Sequence, residues 1–436
     1  MSFPRYSAYK DSGVEWLGEV PEHWSVAKTV RFFKIAMGQT ILKEDLVDDG
    51  RWPVFSATDG DHYFGRVNDP QVRLGVGDIV IPARGNSIGA VKIVKEPSTT
   101  TQTTIYCKNL SQGRLKPEYV FHFLRGCRTN LFYFTQTAIP QITVDEVGSN
   151  PILIPPLPEQ ARIAAFLDRE TAKIDALVAE QQRLIDLLKE KRQAVISYAV
   201  TKGLNPAAPM KPSGIEWLGD VPAHWNVGKC GFYLTILSGF AFPSAGFTED
   251  ESATKLLRGI NVGVSRLKWE ETVYWDRTSE DGLDIYDMRA GDVVIGMDRP
   301  LIGEGIRVSK VKDSDLPCLL LQRVASLKVG KQLHSDYLLA LISSEMFIAH
   351  FLPDTTGVSV PHISPEQIRS FIIPVPPMRE QELISAFIND ETAKFDTFTA
   401  EAQRAIDLLQ ERRTALISAA VTGQIDVRHL AEAGAA

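Results

Sequence analysis

The chain repeats itself, and this repeat constrains its fold more than any other feature. The segment SGVEWLGEVPEHW at residues 12–24 recurs as SGIEWLGDVPAHW at residues 213–225. A second segment, 155–201, recurs without a gap at 376–422, and more than half of its positions are identical. Between these anchors the two copies barely align. Each half is therefore a variable block followed by a nearly constant block.

The constant blocks are predicted to be long helices. No proline or glycine occurs from Glu159 to Lys202 or from Glu380 to Thr422, and each helix could reach about 65 Å at 1.5 Å per residue. A heptad register places mostly apolar residues at its a and d positions. These are Ile174, Leu177, Gln181, Leu184, Leu188 and Val195 in the first copy, and Phe395, Phe398, Ala402, Ala405, Leu409 and Leu416 in the second. We expect the two helices to pair as an antiparallel coiled coil, which buries both stripes.

The variable blocks are predicted to be small α+β domains. Short β-rich runs bounded by glycine, such as GDIVIPA at 77–83 and GDVVIGM at 291–297, precede more apolar, helix-like stretches. The predicted fold class is α+β, with an internal pseudo-two-fold repeat. The predicted segments are two globular domains at 1–156 and 204–376, a first spacer helix at 157–203, and a second spacer helix with a tail at 377–436.

A second apolar flank recurs in kind beside the heptad positions, and two interpretations remain open for it. It could bind two copies of one partner subunit, or it could belong to a broad core stripe. Its residues are Ile163, Phe166, Ile185, Leu187, Ile196 and Val200 in the first helix, and Ile384, Phe387, Ile406, Leu408, Ile417 and Val421 in the second.

No catalytic or metal-binding motif stands out. The sequence contains no phosphate-binding loop, no dinucleotide-binding glycine pattern and no H-E-x-x-H. The four cysteines form no C-x-x-C pair and are expected to be reduced thiols. No apolar run is long enough for a membrane span, and the first residues do not resemble a signal peptide. We therefore expect a cytoplasmic protein without catalytic activity, metal or cofactor of its own.

The net charge of −7 does not fit a strongly basic DNA-binding protein. Local patches or partner subunits would have to provide any affinity for nucleic acid. The tryptophans of the repeated motif, Trp16, Trp24, Trp217 and Trp225, could stack on bases. A turn that fastens the start of each domain is the better interpretation.

Candidate base-reading side chains follow the Gly-Asp strands, because Arg can pair with guanine and Asn or Gln with adenine. For any one of them, phosphate contact or simple exposure is an open alternative. In the first copy the candidates are Arg84, Asn86 and Gln102, with Arg66 weaker; in the second they are Arg299, Gln322 and Arg323, with Arg258 and Asn261 weaker.

This layout resembles the specificity subunit of type I restriction–modification enzymes. The resemblance rests on the repeated E-W-L-G-x-V-P-x-H-W motif, the two constant helices and the terminal VTGQIDVR at 421–428, and it covers essentially the whole chain. It implies that each variable block is a target-recognition domain for one half of a split, asymmetric DNA site. The helices would then fix the gap between the half-sites and dock two modification subunits.

The resemblance also implies where the chemistry lies. The modification subunits would bind S-adenosylmethionine and methylate adenine, and two restriction subunits would use ATP and Mg²⁺ to translocate and cut DNA. Two other hypotheses remain. One is a non-DNA scaffold that presents two protein- or ligand-binding modules on a coiled coil. The other is the recognition half of a single-chain methyltransferase–nuclease, which the missing catalytic motifs disfavour.

Overall fold

A computed structural model describes residues 3–58, 60, 62–111, 113–132, 140–303, 305–352 and 361–430. The chain forms two compact units. The first comprises Met1–Gln182 and Gln403–Ala436, and the second comprises Arg183–Ala402. Each unit thus combines one variable block with parts of both long helices, so the helices do not form separate domains.

The first unit is α+β, as predicted. Its four-stranded antiparallel sheet has the order β4-β10-β7-β8, and a three-stranded sheet has the order β6-β5-β9, in which β5 and β9 run parallel. Two further pairs, β1-β2 and β11-β3, close the block. The strands are β1 Tyr9–Asp11, β2 Glu19–Pro21, β3 Ser25–Lys28, β4 Phe33–Met37, β5 Trp52–Phe55, β6 Gly65–Val67, β7 Ile79–Pro82, β8 Lys92–Ile93, β9 Thr99–Thr100, β10 Thr104–Asn109 and β11 Pro151–Ile154; the helices are α1 Pro117–Gly126, α2 Arg128–Leu131, α3 Val144–Ser149 and the start of α4 Leu157–Lys202.

The second unit has sheets of matching order. Its four-stranded sheet is β15-β23-β18-β21 and its three-stranded sheet is β17-β16-β22, again with one parallel pair. A short hairpin, β19-β20, is added. The strands are β12 Met210–Pro212, β13 Asp220–Pro222, β14 Asn226–Lys229, β15 Leu234–Ser238, β16 Thr254–Leu257, β17 Tyr274–Trp275, β18 Val293–Gly296, β19 Leu301–Ile302, β20 Gly305–Ile306, β21 Val308–Lys310, β22 Cys318–Leu320, β23 Val324–Val329 and β24 Ile372–Val375; the helices are α5 Ser335–Ile342, α6 Glu345–Phe351, α7 Pro365–Ser370 and the start of α8 Met378–Val421.

The repeated tryptophan motif fastens the first variable block to the beginning of α4. Trp24 is fully buried, and its Nε1–H donates to Oε1 of Glu159 at 3.1 Å. The Tyr6 hydroxyl donates to the same oxygen at 2.5 Å, and His23 Nε2 lies 2.8 Å from Oε2. Burial, followed by the hydrogen bond to Glu159, raises the pKa of Tyr6, so this hydroxyl stays protonated and keeps donating. The prediction that the motif is a structural fastening is confirmed here.

The second copy of the motif makes a weaker version of this connection. Trp225 is equally buried and packs beside Gly203, the residue that follows α4. His224 Nε2 lies 2.8 Å from Glu380 Oε2, but Trp225 Nε1 has no hydrogen-bond partner among the described residues. The same motif therefore satisfies its buried donors fully only in the first unit.

The buried stripe of the long helices recurs every eleven residues rather than every seven. The heptad positions Leu177, Leu184 and Phe398 are 42–51% exposed, so the predicted register is wrong there. An eleven-residue spacing corresponds to about 3.67 residues per turn, slightly more than the 3.6 of a straight α-helix, and it favours a right-handed supercoil where a heptad favours a left-handed one. The buried residues at this spacing are Ile163, Ile174, Ile185 and Ile196 in α4, and Ile384, Phe395, Ile406 and Ile417 in α8.

All four cysteines are buried and free. Burial raises the pKa of each thiol to about 12. Because the thiolate is the reactive form, these side chains act as small apolar core residues.

Candidate nucleic-acid interface

Three chain segments of the first unit meet at the edge of its four-stranded sheet. They are the exit of β4 (38–40), the loop after β7 (83–89) and the turn between β9 and β10 (101–103). Ala83 N–H donates to Thr103 O at 2.9 Å, and Gln39 forms a β-bridge with Thr101. A Cβ on Gly38 would lie 2.2 Å from Thr101 O, so only glycine lets the chain pass so close to the turn. We call these three segments the first loop surface.

The first loop surface exposes three of the predicted residues: Arg84, Asn86 and Gln102. Arg84 Nε–H donates to Gln141 Oε1 at 3.1 Å, which directs the guanidinium. Thr40 donates to Gln102 Oε1 at 2.8 Å and holds that amide. The structure therefore brings together side chains that can hydrogen-bond base edges or phosphates.

A network of hydroxyl groups lies in and beside the first loop surface, and the sequence reasoning missed it. Thr101 Oγ1 and Thr103 Oγ1 are 2.8 Å apart, and Ser56 Oγ lies 3.1 Å from the former and 3.2 Å from the latter. The signal was the run TTTQTT at 99–104, whose hydroxyl groups can both donate and accept hydrogen bonds. Because Thr101 is only 4% exposed, this network connects the chain segments beneath the surface more than it adds to the exposed groups.

The second unit builds a matching surface from corresponding segments: the exit of β15 (239–240), the loop after β18 (297–300) and the turn between β22 and β23 (321–323). Met297 N–H donates to Arg323 O at 2.9 Å, and Phe240 bridges to Leu321. A Cβ on Gly239 would lie 2.1 Å from Leu321 O. We call these segments the second loop surface.

The side chains of the second loop surface are different and more strongly charged. Arg299, Gln322 and Arg323 are exposed, and the backbones of both arginines have positive φ, +45° and +69°. Arg323 Nε lies 3.7 Å from Asp298 Oδ2. His362 Nδ1 lies 2.7 Å from Asp298 Oδ1. The surface therefore presents two arginines around one carboxylate.

The three weaker candidates lie elsewhere. Arg66, on β6, is half-buried and donates to Gly50 O at 3.2 Å. Asn261 is 1% exposed, accepts from Arg258 N–H at 3.0 Å and donates to Lys268 O at 2.9 Å. The Arg258 guanidinium donates to Glu271 O. These hydrogen bonds stabilise the segments in which the three residues lie. Because Asn261 is buried, it is no longer a candidate for contact with DNA.

Most of the predicted partner-binding residues belong to the core of the chain. Only Leu187, Phe387 and Leu408 are substantially exposed, at 51%, 38% and 65%. For the others the core-stripe interpretation fits the structure, because a side chain without accessible surface offers nothing to a partner. The buried residues are Ile163, Phe166, Ile185, Ile196, Val200, Ile384, Ile406, Ile417 and Val421.

Gln141, Asp298 and His362 were not among the predicted residues. Gln141 and His362 lie in the short segments P-Q-I-T at 140–143 and P-H-I-S at 361–364. In each unit the backbone of that segment bonds to the loop after the Gly-Asp strand, through Ile142 N–H to Ala83 O and Ile363 N–H to Met297 O. These segments also belong to the repeat, since the alignment of the constant blocks extends back to them without a gap.

The family model for the type I restriction modification DNA specificity domain matches residues 21–185 and 279–406. The chain belongs to this family. A specificity subunit of the type I restriction enzyme MjaVIII from Methanocaldococcus jannaschii is 26% identical over 94% of this chain and 95% of its own length. The EcoAI specificity subunit of Escherichia coli is 30% identical over 46% of this chain and 33% of its own length.

The fold also agrees with a solved structure from work on complex assembly and conformational transition of the type I R-M system. The TM-score is 0.64 at 17% identity, over 92% of this chain and 98% of the other. Both loop surfaces of this type I specificity chain lie in its α+β blocks, with Arg84 and Gln102 inside the first matched range and Arg299 and Arg323 inside the second.

The described residues of this type I specificity chain contain neither a cluster of metal-ligating side chains nor a helix suited to a membrane. No group of three or more His, Cys, Asp and Glu side chains there could hold a metal ion. None of the helices in the described ranges combines the length and apolar character needed to cross a membrane.

Proposed function

We propose that this chain is the non-catalytic DNA-specificity subunit of a type I restriction–modification complex, in which each loop surface reads one half of a bipartite DNA site. The observation that carries the proposal is the pair of loop surfaces. Corresponding segments build both of them, yet they carry different side chains. Arg84, Asn86 and Gln102 are exposed on the first, whereas Arg299, Gln322 and Arg323 are exposed on the second. Unlike readers on one scaffold favour an asymmetric site with two different half-sites.

The helices are proposed to pair as an antiparallel coiled coil, and contacts within each unit support this. In the first unit the Tyr6 hydroxyl contacts Glu159 at the start of α4. The guanidinium of Arg428, just beyond the end of α8, lies over the Tyr6 ring, 4.9 Å from the ring centroid. Farther along, Arg413 Nε donates to Asp175 at 2.7 Å. Residue numbers therefore rise along one segment as they fall along the other.

The second unit supports the same direction. Arg192 forms an ion pair with Asp396, and Gly203, directly after α4, lies against the Glu380 side chain near the start of α8. The matching strand orders of the two units support the internal pseudo-two-fold repeat. In this proposal the helix pair sets the unread gap between the half-sites.

Partner subunits are proposed to supply the chemistry. Two adenine-modification subunits would carry S-adenosylmethionine, and restriction subunits would carry ATP and Mg²⁺. The exposed Leu187, Phe387 and Leu408 are the residues of this chain that remain candidates for docking them. A net charge of −7 also fits an assembly in which partners make most of the phosphate contacts, in the bacterial or archaeal cytoplasm.

A domain exchange tests the proposal. Residues 25–150 would be replaced by the corresponding block of a related specificity subunit, and the hybrid would be expressed with the modification subunits. Methylated adenines in the host DNA would then be mapped. We expect one half-site to change while the other half-site and the gap stay fixed, because each surface lies within one unit.

The control is the parent chain, mapped in the same host. A simultaneous change of both half-sites would contradict the modular account. If the parent complex neither methylates nor binds duplex DNA at any defined sequence, the chain is instead a scaffold for two protein- or ligand-binding modules.

A further inference from the structure

The loop after the Gly-Asp strand carries a side-chain pair at the same place in both units. Arg84 is the second residue after β7 and pairs with Gln141 at 3.1 Å. Asp298 is the second residue after β18 and pairs with His362 at 2.7 Å. Gln141 and His362 occupy corresponding positions of the P-Q-I-T and P-H-I-S segments. The fold thus places one loop side chain against one supporting side chain in each unit.

The supporting segment of the second unit is held rigidly by the backbone. Arg299 N–H donates to Pro361 O at 2.7 Å, Ile363 N–H donates to Met297 O at 2.9 Å, and Asp298 and His362 form an isolated antiparallel bridge. The half-buried Arg307 donates through Nη1 to Asp298 O at 3.1 Å and through Nε to Val262 O at 3.0 Å. The backbone around Asp298 is therefore fixed by these hydrogen bonds, and its carboxylate is fixed by the contact with His362.

The two arginines of the second loop surface have a strained backbone conformation. The third residue after β7 is Gly85, at φ +83°, and the third residue after β18 is Arg299, at φ +45°. Arg323 also has a positive φ, +69°. Glycine adopts this region without steric cost, and non-glycine residues held there concentrate at functional sites. The second unit thus accepts the cost of arginine where the first uses glycine.

A carboxylate on a DNA-facing surface repels phosphate, so Asp298 needs a compensating role. Its Oδ2 lies 3.7 Å from the Arg323 Nε, which is a salt-bridge distance without a hydrogen bond, and the opposite charge favours side-chain conformations of Arg323 that keep the guanidinium near Asp298. With its Nε turned toward Asp298, Arg323 can present its terminal N–H groups to the O6 and N7 acceptors of a guanine in the major groove.

We propose that Asp298 and His362 are positioning residues for the second loop surface: His362 orients the Asp298 carboxylate, and that carboxylate holds the Arg323 guanidinium so that it reads a guanine. This inference rests on the proposed function, since it names the residues that give one half-site its sequence.

The test uses the full chain assembled with its modification subunits and a library of randomised DNA duplexes, with sequencing of the bound fraction. The variants are Arg323→Ala, Asp298→Asn, His362→Ala and His362→Gln. We expect the first three to lose preference for guanine at one and the same position, by about 5- to 100-fold, because a bidentate arginine contact discriminates to that extent. His362→Gln should restore much of the preference, since a glutamine N–H can still donate to Asp298.

The matched control is Asp284→Asn, which removes another carboxylate that pairs with an arginine of the second unit, Arg277 at 2.7 Å, outside the loop surface. It should leave the selected sequence unchanged. Gln141→Ala should alter the other half-site only. A merely structural role for Asp298 would lower binding to all sequences equally without changing the preferred base.

Three outcomes would overturn the inference. Asp298→Asn could keep the guanine preference that Arg323→Ala loses, Arg323→Ala could leave the preference intact, or Asp298→Asn could relax a cytosine position distinct from the arginine's, which would make the carboxylate itself a reader. If the parent complex selects no sequence at all, the proposed function fails as well, which separates the two failures.

Discussion

At the scale of single residues, Glu159 shows how one side chain connects the repeated motif to a long helix. Its carboxylate is 5% exposed and accepts from Tyr6 and Trp24, with His23 at the second oxygen. Its counterpart Glu380 is partly exposed, and its carboxylate lies 2.8 Å from His224 Nε2. A buried acceptor that satisfies several buried donors costs far more to remove than an exposed one.

This difference predicts unequal effects of two equivalent substitutions. Glu159→Ala should lower the free energy of unfolding by about 3 kcal/mol, because it leaves the Tyr6 hydroxyl and the Trp24 indole N–H buried without acceptors. The internal control Glu380→Ala should cost about 1 kcal/mol or less, since its contact with His224 is partly exposed to solvent. Urea unfolding of the full chain, followed by tryptophan fluorescence, measures both. Equal losses would show that the fastening does not depend on these hydrogen bonds.

The sequence located the candidate site at this scale only in part. Arg84, Gln102, Arg299 and Arg323 were predicted correctly as exposed residues on loops, because the Gly-Asp strands and the turn residues mark where the chain leaves a sheet. Nothing local in the sequence shows that Gln141 or His362 reaches these loops. Their proximity depends on backbone hydrogen bonds across more than fifty residues of chain.

At the scale of elements, the long helices were predictable in length but not in phase. The absence of proline and glycine gave bounds within two residues of Leu157–Lys202 and Met378–Val421. The heptad register failed because many apolar residues fit both a seven-residue and an eleven-residue spacing. Only burial distinguishes Ile185 at 4% exposure from Leu184 at 42%.

The packing of α8 against α1 in the first unit provides a test at this scale. A Cβ on Gly126, the last residue of α1, would lie 2.8 Å from Ile417 Cγ2 and 3.2 Å from the Ser418 backbone nitrogen. Gly126→Ala should therefore destabilise the chain by about 1–3 kcal/mol, because a β-branched side chain and a helix backbone cannot easily move aside.

Gly148 in α3 is the matched control. A Cβ there would lie 3.7 Å from Val30, an ordinary contact, and alanine favours the helix over glycine by up to about 1 kcal/mol. Gly148→Ala should thus be neutral or slightly stabilising. Thermal unfolding of the full chain measures the stability of both the Gly126→Ala and the Gly148→Ala variants. Close packing of the two elements would be refuted if both alanine variants behaved alike.

At the scale of the whole molecule, the repeat predicted two α+β blocks, and the structure agrees. It did not predict how the chain divides. Each compact unit takes parts of both α4 and α8, because apolar residues of both helices join the core of each block. Ile163 and Ile417 lie in one core cluster, and Ile196 and Ile384 lie in another. Domain boundaries drawn on the sequence follow the order of the residues, whereas each core combines buried residues that are far apart in the sequence.

The proposal that the helix pair sets the gap makes a prediction about phase as well as distance. Inserting one eleven-residue repeat into both helices, between Ala179 and Glu180 and between Leu408 and Leu409, would lengthen each by about 16 Å at 1.5 Å per residue. That is about half a turn of B-DNA, whose turn is about 34 Å, so the second loop surface would face the wrong side of the duplex. Inserting two repeats adds about 33 Å, close to a full turn.

We expect the single insertion to abolish selection of a bipartite site and the double insertion to restore both half-sites with a gap about ten base pairs longer. An insertion in one helix alone is the control, and it should destabilise the chain by offsetting pairs such as Asp175–Arg413. If the double insertion left the gap unchanged, the helices could not be what measures it.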